Sequence, residues 1–478
     1  MGVFRSGSRM IKILHTADWH LGRTLYGRKR YQEFEAFLNW LADTIQKNQV
    51  DVLLMAGDVF DTTAPSNRAQ ELYYRFLCRV AASCCRHVVL IAGNHDSPSF
   101  LNAPRELLKA LQVHVVGNPS EDPADEVLVL RDKQNMPELI VCAVPYLRDR
   151  DIRTAEAGES LEDKEQKLMD GIRAHYAAVG ACAEQKRAEL GDDVRDATAS
   201  GARSQVDIPI LGMGHLFTAG GTTLEGDGVR ELYVGSLAHV GAGVFPACFQ
   251  YVALGHLHVP QKVGGRDTMR YSGSPVPMGF GEAGQQKSVC LLSFEHDIDS
   301  WWGGPDTPGT AGKRGASALG AASAQSAAGA DHAPPGPDTV PPGPTVELIP
   351  IPVFQQLERI KGDWNSINNR LMELAAAGSD AWLEVIYEGD ELKSDLRESL
   401  ESAVSGTQLE LLRVKNNRIV DRVLRRLEEE DTLEELTVED VFERCLNQHE
   451  VPQEQRPELL RAYRETLTSL YETDEHAE

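Results

Sequence analysis

Five short apolar runs in this chain each end in a knot of polar residues, and that repeated pairing limits the folds open to it. Ile11 to Leu14 leads to Asp18-Trp19-His20, Val52 to Met55 to Gly57-Asp58, and Val88 to Ile91 to Gly93-Asn94-His95-Asp96. Ile208 to Leu211 leads to Gly214-His215, and Tyr251 to Leu254 to Gly255-His256-Leu257-His258. Such runs suit buried strands that finish in functional loops. The polar residues would then converge from five strand ends.

Any one of these motifs is weak alone, since an Asp-x-His or Gly-Asp after a strand is more often a helix cap or a turn. Five in order, each behind a strand, read as a two-metal phosphoesterase site. Two divalent cations about 3.5 to 4 Å apart can hold and polarise a phosphate and lower the pKa of a water between them. Carboxylates neutralise the paired cations, while imidazoles and an amide oxygen complete the shell without making it too anionic for a phosphodiester. Asp18, Asp58, Asn94, His20, His215, His256 and His258 supply that mixture.

The motif set resembles the calcineurin-like metallophosphoesterases. The longer strings Ile13-Leu-His-Thr-Ala-Asp-Trp-His-Leu-Gly22, Ala56-Gly-Asp-Val-Phe-Asp61 and Tyr271-Ser-Gly-Ser-Pro-Val-Pro277 narrow it to the SbcD family of bacterial nuclease subunits. Thr432-Leu-Glu-Glu-Leu-Thr-Val-Glu-Asp-Val-Phe-Glu443 extends the similarity to the C-terminal region. The resemblance implies a four-layer α-β-β-α sandwich, then a small α+β capping domain and a C-terminal helical hairpin. It implies one metal held by Asp18, His20, Asp58 and His258, a second held by Asp58, Asn94, His215 and His256, and Asp58 as the bridge. His95 would face the scissile phosphate and protonate the departing sugar oxygen, with Asp96 orienting its ring. The implied metals are two divalent ions, with Mn2+ the best match; nitrogen and oxygen ligands also admit iron.

Other polar residues in these strings carry less. His15 lies in a strand and reads as a packed, hydrogen-bonded histidine. Asp61 reads equally as a partner behind a ligand or as a turn residue. His87, His114, His175 and His239 fall outside the matching strings.

With 72 acidic against 48 basic residues, the formal charge of −24 is opposite to the footprint of an independent DNA binder. A nuclease remains compatible with it if metals supply local positive charge and a partner protein supplies phosphate-binding surface. Arg23, Arg28, Lys29, Arg30 and Arg68 lie near the first two motifs and read either as backbone contacts or as a solvated face. Eight cysteines without Cys-x-x-Cys spacing argue against zinc ribbons and a disulfide framework. No run approaches the ~20 apolar residues of a membrane span, and Met1 to Met10 lacks the apolar core of a signal peptide. A soluble, cytoplasmic protein is expected, with Met10 an alternative start.

Residues 10–298 are expected to form the nuclease domain. In it, Arg30 to Gln46 carries Phe34, Phe37, Leu38, Leu41 and Ile45 at helical spacing. A helix is expected over Pro65 to Val80, and with Ser99 to Leu111 it is a candidate for the family's homodimer contact or for ordinary core. Leu161 to Leu190 reads as a helical insertion followed by a polar loop, Gly191 to Ser204. Residues 299–345 form a linker, because Gly303 to Pro344 has too few large apolar residues to offset ordering entropy. Residues 346–415 read as the capping domain: strand Val346 to Pro350, helix Asp363 to Ala377, strand Trp382 to Tyr387, helix Leu392 to Val404 and strand Gln408 to Val414. Residues 416–478 carry two apolar stripes, Val438, Val441, Phe442, Cys445, Leu446 and Leu459, Leu460, Tyr463, Leu467, Leu470, Tyr471. A hairpin this small needs another surface to cover it.

The resemblance therefore implies the nuclease component of an ATP-driven complex acting in DNA replication, repair and recombination. Its activities would be 3'-5' double-strand exonuclease and single-strand or hairpin endonuclease. Its partners would be DNA, an SbcC-type ATPase docked on the C-terminal helices, and a second copy of the chain within a heterotetramer. The rival readings are a free-standing metallophosphodiesterase or nucleotide phosphatase, and a non-catalytic scaffold for the ATPase.

Overall fold

A computed structural model describes residues 9–153, 160–197, 208–218, 221–222, 241–296, 343–389 and 396–416, with positions 446, 456 and 463 besides. The described residues run β1 (Arg9–Thr16), a short hairpin of β2 (Thr24–Leu25) and β3 (Arg28–Lys29), α1 (Tyr31–Asn48), β4 (Val52–Ala56), α2 (Asn67–Ala81) and β5 (His87–Ile91). Next come α3 (Pro98–Asn102), α4 (Arg105–Lys109), β6 (Val113–Val116), β7 (Val127–Arg131), β8 (Pro137–Ala143), α5 (Asp149–Ile152) and α6 (Leu161–Ala197). They are followed by β9 (Ile210–His215), β10 (Tyr251–Gly255), β11 (Gln261–Val263), β12 (Arg266–Tyr271), β13 (Ser288–His296) and β14 (Thr345–Pro350). The last are β15 (Leu357–Gly362), α7 (Trp364–Ala376), β16 (Trp382–Tyr387), α8 (Leu396–Val404) and β17 (Glu410–Asn416).

Two six-stranded sheets, β14-β13-β1-β4-β5-β6 and β11-β12-β10-β9-β8-β7, form the framework. The period of two along each strand explains their stacking, because successive side chains leave opposite faces. In β4, Leu53 and Met55 join α1 and α2 in one core, whereas Val52, Leu54 and Ala56 enter a second core between the sheets. In β8, Ile140 and Cys142 pack with α6 residues such as Tyr176 and Val179, whereas Leu139, Val141 and Ala143 enter the core between the sheets. The layers are α, β, β, α, as expected. Strands buried on both faces read as continuous apolar runs, which makes them visible in the sequence.

The five motif-bearing strands are parallel neighbours, β1-β4-β5 in one sheet and β9-β10 in the other. Their carboxyl ends therefore open on one edge of the sandwich, where ligands collect in α/β sheets.

Three expectations need correction. The strand at Val346–Pro350 is not part of a capping domain: β14 pairs antiparallel with β13 and forms the edge of the first sheet. Apolar pattern alone gives a strand no address, and this one is separated from its partner by the long Gly/Ala-rich stretch. Gly191 to Ala197 continues α6 rather than opening a loop; a polar stretch is as compatible with the last turns of a long helix as with a loop. Ser99 to Leu111 is interrupted, with α3 and α4 separated by Ala103 and Pro104, since proline disfavours helix at the residue before it.

Among the described residues the chain divides into two compact units, 1–359 with 377–384 and 406–413, and 360–376 with 385–405 and 414–478. β15, β16 and β17 form a three-stranded sheet. In the second unit, Ile367, Leu371 and Leu374 of α7 and Leu396 and Leu400 of α8 are buried at helical spacing. Residues 299–342 of the expected linker, and the C-terminal stripes apart from Leu446 and Tyr463, lie outside the described residues, as does His239.

Candidate metal centre

The loop after β1 is built around Trp19. Its indole is buried edge-on against Phe37 and Phe76, with centroids 5.9 and 5.2 Å away, and its Nε1–H donates to Thr16 Oγ1 at 2.9 Å. Asp18 and His20 flank this anchor, both in the left-handed backbone region with φ 54° and 46°. The backbone N–H groups of Asp18, His20 and Leu21 donate to the carbonyls of Gly57, Asp58 and Val59 at 2.9–3.0 Å. The first loop is thus zipped onto the loop that carries Asp58.

Eight non-glycine described residues have positive φ, and four are expected ligands: Asp18, His20, Asp58 and His256. Each such residue costs on the order of 1–3 kcal/mol and persists only where its surroundings enforce it. Close packing enforces it here. A Cβ on Gly57, itself at φ 89°, would collide with the His215 ring, and one on Gly93 would collide with the Asp58 carboxylate.

Asp58 lies at the middle. Its Oδ1 accepts the His95 backbone N–H at 2.8 Å, while its Oδ2 lies 3.5 Å from His20 Nε2 and 3.3 Å from His215 Nε2. On one side, His20 Nε2 and His258 Nε2 face each other at 3.2 Å, and Asp18, His20 and His258 place one potential ligand atom each within 4.8 Å of one another. On the other side, Asn94 Oδ1 lies 3.0 Å from His215 Nε2 and 3.3 Å from His256 Nδ1. Asp18 Oδ1 accepts the His256 backbone N–H at 2.8 Å, and Asp18, Asp58 and His215 form a second close group. All seven expected ligands are brought together.

Protons on the imidazoles are steered by groups behind them. The Asp61 carboxylate is 3.3 Å from His20 Nδ1, the Ala56 carbonyl 3.0 Å from His215 Nδ1, and Glu282 Oε1 3.8 Å from His258 Nδ1. These neighbours favour a proton on Nδ1, by a hydrogen bond at His215 and by the nearby carboxylate charge at His20 and His258, which makes each Nε2 available as the atom that would meet a cation. Two lone pairs at 3.2 Å repel unless an electrophile lies between them. Asp18 Oδ2 and His256 Nε2 are buried with no hydrogen-bond partner. These features fit divalent cations.

The site's electrostatics show the same competition for positive charge. Burial pushes Asp18 up to about 7, partly offset by His215 and His258. For His215 burial works against protonation, but the Asp58 carboxylate outweighs it and holds the ring up to about 9. Burial pushes His20 down to about 4 and His256 well below the ordinary histidine value.

Asp96 does not touch the His95 ring. Both its oxygens accept backbone N–H groups, from Phe60 at 3.0 Å, Val59 at 3.1 Å and Gly93 at 2.9 Å, so it ties together the loops after β4 and β5. An aspartate one residue from a histidine cannot be told from sequence to point at its ring rather than at the backbone. The ring's partner is the Asp61 carbonyl, 2.8 Å from His95 Nδ1. Asp61, left open in the sequence, therefore serves both His20 and His95.

Sequence reasoning missed Glu282 and Lys287. They form a buried ion pair, with Lys287 Nζ also donating to the His258 carbonyl at 2.9 Å. No motif marks them; a Glu and a Lys five apart in a polar stretch have no signal beyond ordinary surface composition. His15 is buried and bonded through Nδ1 to Tyr251 Oη at 3.0 Å, as read. His175 pairs with Glu126 away from the site. Arg23, Arg28, Arg30 and Arg68 pair with Asp61, Glu410, Glu33 and Glu35.

Known proteins resemble this chain over much of its length. Residues 11–146 match the family model for calcineurin-like phosphoesterases, and residues 353–450 match the Type 5 capsule protein repressor C-terminal domain. The chain is 32% identical to the SbcD component of the SbcCD nuclease of Escherichia coli K12 over 462 residues, covering 96% of this chain and 98% of that one. It is 39% identical to the Rhodobacter capsulatus protein of the same name over 59% of this chain and 66% of the relative. For the Bacillus subtilis protein of that name the figures are 35%, 61% and 68%. Among solved structures, a dimetal phosphatase from Danio rerio aligns with TM-score 0.29 and 12% identity, over 60% of this chain and 96% of that one.

Proposed function

The chain belongs to the SbcD family of SbcCD nuclease components, and from that premise we propose that its seven strand-end residues hold two divalent cations for phosphodiester hydrolysis in DNA. Asp18, His20, Asp58 and His258 hold one; Asp58, Asn94, His215 and His256 hold the other. The observation that carries this reading is the position of Asp58 Oδ2, within 3.5 Å of an Nε2 atom on each side. When bound, the cations supply Lewis-acid stabilisation of the phosphoryl oxygens and lower the pKa of a nucleophilic water. Manganese is the proposed metal.

The residues of the chain do the rest. A carbonyl oxygen can only accept, so the Asp61 carbonyl requires a proton on His95 Nδ1 and leaves Nε2 as the atom that exchanges one with substrate. To protonate the departing sugar oxygen, His95 would act as the imidazolium, giving up the proton on Nε2 while the one on Nδ1 stays on the Asp61 carbonyl. Asp96 holds the loop backbone rather than reacting. Both the N–H of His95 and the carboxylate of Asp58 are fixed by their mutual hydrogen bond, so acid and ligand cannot drift apart.

The proposed activities are 3'-5' exonuclease on duplex DNA and endonuclease on single strands and hairpins, in the cytoplasm. Among the described residues no helix is long and apolar enough to cross a membrane. The second matched region, 353–450, favours an SbcC-type ATPase partner over a free-standing phosphodiesterase, and two copies of the chain in that assembly are proposed with it. The proposed domains are a nuclease domain that extends through β14, a cap from β15 to β17, and ATPase-docking helices within 416–478.

The test is hydrolysis of a hairpin-capped duplex and of bis(p-nitrophenyl) phosphate with manganese, with and without the co-expressed ATPase and ATP. DNA cleavage strengthened by the partner supports the reading. Turnover of the small diester alone, indifferent to the partner, overturns it in favour of a general phosphodiesterase.

A further inference from the structure

One cleft lies beside the candidate metal centre. It encloses about 340 Å³ and is lined among others by Gly93, Ser99, Asn102, Asn118, Tyr146 and Arg148. Two contacts tie it to the centre. Gly93 directly precedes Asn94, and the Tyr146 ring stands edge-on to the His215 imidazole at 6.4 Å and 81°. The backbone here is fixed: the Tyr146 N–H donates to the Ala92 carbonyl at 2.9 Å, so the segment after β8 is held to the end of β5.

Charge sets this cleft apart from the rest of an acidic chain. The arginines nearest the first two motifs all pair with carboxylates. The half-buried Arg148 guanidinium forms no ion pair among the described residues. Asp151, the acid that lines the same cleft, accepts the Arg148 backbone N–H at 3.2 Å and lies 3.8 Å from Arg150 Nε, so its charge is answered without Arg148. A neighbouring cleft of about 350 Å³ mixes Arg105 and Lys109 with Glu106, Asp125 and Glu126, so acids answer its cations within the same lining. An aromatic ring and a guanidinium without an ion pair among the described residues, within one small cleft, match a base and a phosphate respectively; Asn102 and Asn118 hydrogen-bond each other at 2.8 Å and shape the wall.

We propose that this cleft holds the nucleotide adjoining the scissile phosphate, its base on Tyr146 and its outer phosphate on Arg148. The proposal rests on the nuclease reading above and adds the residues that distinguish a polynucleotide from any other phosphodiester. Arg148 and Tyr146 are substrate-positioning residues; the reacting phosphate is left to the metal centre.

The experiment uses the full chain with its ATPase partner and manganese, comparing wild type, Arg148→Gln, Arg148→Lys and Tyr146→Leu on an oligonucleotide and on bis(p-nitrophenyl) phosphate. Arg148→Gln and Tyr146→Leu are expected to lose about tenfold more kcat/KM on the oligonucleotide than on the small diester, mostly through KM. Arg148→Lys recovers part of the loss. A single methylphosphonate next to the scissile phosphate should slow wild type about tenfold and Arg148→Gln hardly at all, because the charge it would meet is already gone. Equal losses on both substrates, or an unchanged methylphosphonate penalty in Arg148→Gln, overturn the cleft assignment. A wild type that fails to cleave the oligonucleotide overturns the nuclease reading instead.

Discussion

The imidazole of His95 hydrogen-bonds through Nδ1 to the backbone carbonyl of Asp61 at 2.8 Å, while the carboxylate of that same aspartate lies 3.3 Å from His20 Nδ1. One residue thus governs two histidines by two different groups, and substitution can separate them.

Asp61→Ala removes only the carboxylate. The expected result is manganese affinity weakened about 10- to 100-fold through His20, with the hydrolysis rate largely restored at saturating metal because the carbonyl still orients His95. His95→Ala should do the opposite, keeping both metals and losing about 100-fold or more in rate. Metal content by elemental analysis, set beside turnover at saturating manganese, separates the two. An emptied site in His95→Ala would contradict its assignment.

Asp96 is expected to act on stability. Replacing it by alanine strands three buried N–H groups, and a loss of about 3 kcal/mol in urea unfolding is expected along with activity. If Asp96 instead oriented the His95 ring, the variant would unfold like wild type and lose only rate.

The Glu282–Lys287 pair behind His258 makes a third case. Glu282→Ala leaves the Lys287 ammonium buried without its carboxylate, which typically costs about 3–5 kcal/mol. Adding Lys287→Met removes the stranded charge, so the double variant should be more stable than Glu282→Ala alone. Denaturant midpoints of the three proteins decide it; additive losses would show that the two residues do not act as a pair.

His15 predicts a pH dependence. Burial pushes its ring down to about 3 in the folded chain, below its unfolded value of about 6.5. Between those values the unfolded chain binds a proton that the folded one refuses. The stabilisation is complete above about pH 6.5 and falls with decreasing pH by up to about 1.4 kcal/mol per unit until pH nears about 3. His15→Gln should remove this component, so its unfolding midpoints should fall less than those of wild type from about pH 7 to about pH 5. Parallel curves would refute it.

Much of the site is legible in the sequence because its residues are tethered to strand ends, where a short apolar run closed by Gly, Asp or Asn marks both the element and its termination. The same logic locates α1, α2 and the helices of the second unit. What the pattern does not encode is which atom meets which. Asp96 and Asp61 both lie in loops that follow a strand, and only the fold decides that the first binds backbone and the second serves two histidines. Glu282 and Lys287 lie outside every motif, and their burial follows from where β13 begins rather than from composition. β14 is visible as a strand but not as a member of the first sheet, since hydrogen-bond partners are long-range facts.

The place of β14 matters for how the molecule is made. It covers the outer edge of β13, so a nascent chain that has emerged only as far as residue 298 would carry a nearly complete catalytic sheet with one bare row of amides and carbonyls. Such edges recruit strands from other chains. The safe place to cut an expression fragment is therefore after Ile351, whose N–H bonds to the Lys287 carbonyl at 2.8 Å, and not before the Gly/Ala-rich stretch. On the ribosome, the interval between synthesis of β13 and of β14 is the time during which that edge stands bare.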